Sequence, residues 1–277
     1  MKKMKGFLAM GTVALMALLG TSAASAADEV AMAYVVHGIN GEDFGLDKAL
    51  PVDVSVSGLG CAIPGFEFGN RVGPISAPEG NYDITISLAD ETNPCEGTEV
   101  IVLEGVKLTA GTNVTLIAYR TADGSKGPGD QLGLGVTASA FANDFTSTGR
   151  GKARVIVQHT AKAPTVDVVV SRDYSNPSSP GVTVPGFTNP TADVDAAISQ
   201  INAELRPGNW QVALEIDGAT VFGPDTLNLR PATATYIYAV GEFPSTFQYL
   251  VFTETGLRDK KYGGSQQPSR GMVRAFQ

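Results

Sequence analysis

The sequence predicts an all-β protein built as two tandem antiparallel β-sandwich domains. Three observations carry that prediction. A strand pair near the start, Tyr34-Val35-Val36-His37 followed by Pro51-Val52-Asp53-Val54-Ser55-Val56, returns in the second half as Val155-Ile156-Val157-Gln158-His159 followed by Pro164-Thr165-Val166-Asp167-Val168. Short segments alternate apolar and polar residues with the period of two that marks a half-buried strand. Glycine (32) and proline (16) are plentiful while charged residues make up only 17% of the 277, which suits short strands joined by turns better than long helices.

The chain divides into a leader (1–26), a first repeat (27–148), a second repeat (149–257) and a basic tail (258–277). In the leader, Lys2, Lys3 and Lys5 precede an apolar run from Phe7 to Leu19, and Ala24-Ser25-Ala26 supplies a small-residue cleavage site. Together these read as a secretory signal peptide, and the run is too short for a membrane-spanning helix. Cleavage removes three lysines and no acids, taking the formal charge from −8 to −11. An acidic mature chain is repelled by nucleic acid and by anionic membranes. The expectation is a soluble, exported protein, periplasmic or extracellular, with no membrane span and no nucleic-acid partner.

In the first repeat, 32–37 reads as a strand and Gly38 to Lys48 as an acidic, glycine-rich loop. Val52 to Ser57 alternates, with its valines on a core face and Asp53, Ser55 and Ser57 on a wet one. Pro78-Glu79-Gly80-Asn81 is a turn signal that launches 82–88, in which Tyr82, Ile84, Ile86 and Leu88 share the buried face. Further strands follow at 100–108, 114–119 and roughly 132–141, with Gly124 to Gly135 read as a hairpin connection. About seven strands at this spacing make a sandwich.

The second repeat places strands at 155–159 and 164–170. Arg206-Pro207-Gly208-Asn209-Trp210 then repeats the Gly-Asn-aromatic turn of the first half, and 227–229 and 234–240 repeat its later strands. An extra Pro/Ser/Gly segment spans 176–190, and 200–205 is read as a strand rather than a helix. The tail has a local charge of +4, and its end, Arg270 to Gln277, loosely echoes Arg150 to Gln158, the opening strand of the second repeat. Its plainer reading is a frayed basic tail or a strand docked on its own domain. The sharper one is a spare first strand that adds to a sheet edge of another subunit, a route to self-association.

Cys61 and Cys95 are the chain's two cysteines, and in an oxidising compartment they form one disulfide. The spacing suits neither a redox pair nor a metal site. His37 and His159 are the two histidines, each ending the same strand of its repeat. Imidazole suits acid/base or metal chemistry, but repetition separates the two. The expected role is structural: Asp53 orients His37 and Asp167 orients His159 across neighbouring strands. No Gly-x-Ser-x-Gly elbow or phosphate loop is present. The acidic groups near Cys95, with Asp123 and Asp130, lack the ligand order of a calcium loop and are read as solvated. No catalytic residue, metal ligand or cofactor is assigned.

At its repeated residues the chain resembles a bacterial family of exported tandem domains of unknown function, numbered forty-three ninety-seven (DUF4397). The residues carrying the resemblance are Val35-Val36-His37, Pro51 to Val54 and Gly80 to Tyr82, then Val157-Gln158-His159, Pro164 to Val168 and Gly208 to Trp210. The chain departs from the family's usual Ala-Ser-Pro-Asp-Ala-Pro loop after the histidine, with Thr160-Ala161-Lys162-Ala163-Pro164 in one copy and the longer acidic loop in the other. The resemblance implies an Ig-like or transthyretin-like sandwich outside the cytoplasm and brings no catalytic residues. The reading that follows is a non-catalytic exported protein that binds an unknown protein or glycan, or has a structural role, at the cell envelope or beyond. The alternative is an exported hydrolase using a His-carboxylate pair.

Overall fold

The computed structural model describes residues 30–176, 178–192 and 198–257, with the backbone of 274–276. The predicted leader and most of the basic tail lie outside these residues. Eight strands form the first half: β1 (Val30–His37), β2 (Val52–Val56), β3 (Gly60–Phe66), β4 (Arg71–Pro78), β5 (Gly80–Leu88), β6 (Glu99–Leu108), β7 (Asn113–Arg120) and β8 (Val136–Ala142). They make two sheets, β4-β1-β7-β8 and β3-β2-β5-β6, in which β1 and β7 run parallel and the other neighbours antiparallel.

The second half repeats this order strand for strand. Its elements are β9 (Ala153–His159), β10 (Val166–Ser171), β11 (Gly181–Phe187), β12 (Gln200–Leu205), β13 (Gly208–Ile216), β14 (Ala219–Leu229), β15 (Thr233–Val240) and β16 (Gln248–Thr255). They form sheets β11-β10-β13-β14 and β12-β9-β15-β16, with β9 parallel to β15 as β1 is to β7. The histidines keep their register, His37 opposite Ala118 and His159 opposite Ala239.

Each pair of sheets closes on its own core. In the first domain Val52, Val54, Ile84, Ile86 and Ile101 from one sheet meet Ala118 and Val136 from the other. In the second, Val166, Val168, Trp210 and Leu214 meet Val155, Ile237, Ala239 and Tyr249. This sheet-on-sheet packing is what the period-two pattern demands, since one face of each strand must be hidden from water.

The alternation breaks down in the strands at the centre. Every residue of β15 is buried, and β1, β7 and β9 are nearly so. Their outward-facing side chains form a further apolar layer: Val36, Ile117, Tyr119 and Phe141 of the first domain pack on Ile156, Tyr236, Tyr238 and Phe252 of the second. The two sandwiches are therefore stacked through their β1/β7 and β9/β15 sheets.

Four strands escape the sequence reading. The glycine-rich stretch after Ser57 contains β3 and β4, the supposed extra segment at 176–190 contains β11, and β16 was not foreseen. β8 begins at Val136 rather than near 132. The strands β3 and β11 were obscured because each carries a Pro-Gly-Phe bulge, Pro64-Gly65-Phe66 and Pro185-Gly186-Phe187, with the glycines at φ +60° and +67°. Proline and glycine weaken a strand pattern in sequence yet mark such a bulge in structure.

At the C-terminal end, β17 (Arg274–Phe276) pairs antiparallel with β16, opposite Val251, Leu250 and Tyr249. It extends the chain's own sheet. That position is not the one that β9 occupies between β12 and β15, so the echo of the opening strand is not matched by its place in the sheet.

Candidate functional site

The histidines close the inner faces of their sandwiches. Each is 1% exposed. His37 Nε2 lies 2.9 Å from the Leu50 carbonyl oxygen, and its Nδ1 accepts a hydrogen bond from the Ile39 N–H at 3.3 Å. That pattern defines the neutral tautomer protonated at Nε2. The rings of Phe66 and Phe68 flank it at 5.8 and 6.3 Å. His159 packs 5.3 Å from Phe187, the bulge phenylalanine of its own copy. Burial lowers both imidazoles to about pKa 4, which the backbone at Leu50 and at Pro164 counters only in part. Both rings are neutral at physiological pH.

The expected His-Asp pairs do not form. The Asp53 carboxylate instead accepts N–H groups from Gly65 (2.7 Å), Cys95 (2.8 Å) and Asp90 (3.2 Å). Burial works to raise this carboxyl, but the N–H groups of Cys95, Gly65 and Asp90 outweigh it and hold the pKa below its ordinary value. Asp167 accepts the Gly186 N–H at 3.0 Å. The shared role of the two aspartates is to tie down the Pro-Gly-Phe bulge, whose phenylalanine then covers the histidine. The signal for it, Pro-Gly-Phe twice at matching positions, was present in the sequence and went unread.

Asp53 also corrects the picture of a wet face on β2, since it is 1% exposed. The loop around Cys95 folds over it and supplies two of its three donors. That loop is fastened by the Cys61–Cys95 disulfide, which is present. Asp130, read as solvated, is likewise 1% exposed. Its carboxylate accepts N–H groups of Leu132, Gly133, Gly135 and Val136 at 2.8–3.4 Å, closing the β7–β8 hairpin. Among the described residues no group of three or more His, Cys, Asp or Glu stands where it could hold a metal ion.

The acidic loop after His37 does more than connect strands. Its single 3-10 turn (Gly41–Phe44) sends Asp43 across to the second domain, where it accepts from Thr246, and sets it 3.5 Å from Arg120 at the end of β7 in its own domain. Arg120 also lies 3.6 Å from Glu242, which Lys162 meets at 2.8 Å. Burial pushes the Asp43 carboxyl up, against the pull of Thr246 and Arg120. The turn is tight: a Cβ on Gly41 would lie 1.8 Å from the Asp47 carbonyl oxygen. The same loop delivers Phe44 beneath the Arg120 guanidinium at 4.5 Å.

Beside this loop the first sandwich is open. Leu46, Leu88, Leu132 and Leu134, between 37% and 53% exposed, surround a cavity that reaches in to His37. Leu88 belongs to the inner face of β5 as expected, but it stands at the open end and is therefore 38% exposed rather than buried.

No helix among the described residues is long and apolar enough to cross a membrane. No curated protein matches the sequence. The model of the family described as a domain of unknown function, DUF4397, matches residues 31–169, which takes in the whole first sandwich and continues into β10. With half of its length matched, including the strand that ends in His37 and the Asp53 strand beside it, the chain belongs to the DUF4397 family.

Proposed function

We propose that this is an exported, non-catalytic protein whose two β-sandwich domains bind a ligand or serve a structural role at the cell envelope or outside the cell. The observation that carries the reading is the state of the two histidines. Both are 1% exposed, neutral, and packed against phenylalanines, while the neighbouring aspartates are committed to backbone N–H groups. A general base needs hydrogen-bond reach to a substrate proton, whereas both His37 nitrogens are taken by backbone groups of its own strand connection and the His159 ring is buried against Phe187. The signal-like leader and the Cys61–Cys95 disulfide support export, because disulfides persist in oxidising compartments.

Two measurements test this. Mass spectrometry of periplasmic and medium fractions should recover a chain beginning at Ala27 with its disulfide intact, and recovery only of the uncleaved cytoplasmic chain would refute export. The mature protein should show no turnover in a broad esterase, glycosidase and peptidase screen. Turnover abolished by His37→Leu or His159→Leu would establish the enzyme instead.

A further inference from the structure

The cavity at the open end of the first sandwich has a volume of about 270 Å³. An apolar cavity of about 150 Å³ is enough to hold benzene. The walls here are carbon: Ile39, Phe44, Leu50, Val100 and Val136 contribute, and His37 is the one lining side chain that carries nitrogen. Both His37 nitrogens are already engaged by backbone groups, so the ring offers a guest its face and not a hydrogen bond. Water filling such a space would lack the two to four polar partners it needs. A guest of matching shape would give the atoms lining this space dispersion contacts on a side where the protein supplies none.

Four of the seven exposed large hydrophobic side chains among the described residues surround this one opening. Isolated exposed leucines need no explanation, but a ring of them at the mouth of an apolar cavity does. The long loop that builds part of its wall also belongs to one copy of a duplicated fold. In the first domain the histidine is followed by residues 38–51 before β2 begins, and that longer loop supplies Phe44, Leu46 and Leu50 to the wall. In the second, only 160–165 intervene, and no loop of that length stands beside His159. A smaller apolar space of about 70 Å³ lies on the far side of His37, Val52, Ile86 and Ala118, which it shares with the cavity.

We propose that this leucine-rimmed cavity is a binding site for a small, uncharged, hydrocarbon-rich molecule, a fused aromatic ring or a compact terpene-like skeleton. Charge is disfavoured because no lining side chain offers a counter-ion, and a long polar head is disfavoured because the walls contain no free donor or acceptor. The rim leucines would cover the portion of the guest that stays at the mouth. The site goes beyond the reading given above, which names no ligand, and it has its own test.

The test is a fluorescence titration of the disulfide-bonded mature chain with N-phenyl-1-naphthylamine, a neutral probe that brightens in apolar surroundings. Saturable one-to-one binding is expected, weakened at least tenfold in Leu46→Glu/Leu132→Glu and unchanged in Val182→Glu, which alters an exposed apolar residue of the second domain. Leu134→Trp, designed to plug the mouth without adding charge, should weaken binding as well and serves should the double variant fold poorly, as judged by its thermal melt. Absence of saturable binding, or equal affinity in folded rim variants, overturns the proposal. So does a wild-type dimer in sedimentation that the rim variants abolish, which would assign the mouth to a second copy of the chain. The turnover screen is unaffected by any of these outcomes, so this proposal and the non-catalytic reading fail separately.

Discussion

Asp53 joins three segments of chain through one carboxylate: the bulge at Gly65, the loop at Asp90 and the disulfide loop at Cys95. Removing it leaves three N–H groups without their acceptor, and unpaired buried groups cost about 1–3 kcal/mol each. Asp53→Ala should therefore lose roughly 3 kcal/mol or more in urea unfolding, while Asp167→Ala, which loses one such bond, should lose about 1 kcal/mol. The histidines give a pH dependence of definite sign. Unfolded, they take up protons near pH 6.5, whereas folded they resist until about 4. Stability is thus complete above pH 6.5 and falls as the pH drops from there towards 4, by roughly 2 kcal/mol per histidine between pH 7 and 5. Urea midpoints across that range should show it, and His159→Leu should remove about half of the slope.

At the scale of elements, the Pro-Gly-Phe bulges and the disulfide loop shape the end of each sandwich. The bulge turns a phenylalanine onto the histidine, the aspartate of the adjoining strand holds the bulge, and in the first domain the Cys61–Cys95 bond fixes the loop that covers the aspartate. The disulfide closes a loop with a sequence separation of 34. Replacing both cysteines by serine should cost roughly 3–4 kcal/mol from the freed entropy of the unfolded chain. The same change should speed proteolytic cutting near Asp90 to Gly97, and comparison of digestion rates by mass spectrometry checks that local effect. Edge protection differs between the copies as well, because β17 pairs with β16 while β8, its counterpart, ends the first sheet.

For the whole molecule the decisive feature is the contact between sandwiches. Its centre is apolar, and within it Arg71 of the first domain meets Glu254 of the second at 2.7 Å, with side chains 6% and 8% exposed. The Arg71 guanidinium also lies 3.7 Å from the centre of the Tyr34 ring. Breaking one member of a buried pair strands the other charge, at a cost of about 3–5 kcal/mol. Arg71→Ala should lower stability by that amount and split the single calorimetric transition expected of the wild type into two. The double replacement Arg71→Met/Glu254→Leu should restore most of the loss, since neither charge is then left alone. The loop carrying Asp43 ties this interface to the cavity beside it, through Thr246 and Arg120 on one side and Phe44 on the other.

Alternation of valines with polar residues, the doubled His and Val-Asp-Val strands, and the glycine-rich turns were sufficient by themselves to determine an all-β duplicated fold. Local pattern dictates which strands form, and duplication copies their order. The Cys61–Cys95 pairing was legible for a similar reason, there being one way to join two cysteines. What Asp53 bonds to was settled only by the tertiary structure, because its donors come from loops distant in sequence that the disulfide brings over it. The same holds for the buried outer faces of β1, β7, β9 and β15, whose burial depends on a second sandwich that no single strand's periodicity reports. The leucine-rimmed cavity is the furthest case. Leu46, Leu88, Leu132 and Leu134 come from separate loops and strand ends, and they share a site only once both sheets of the first domain have closed around His37.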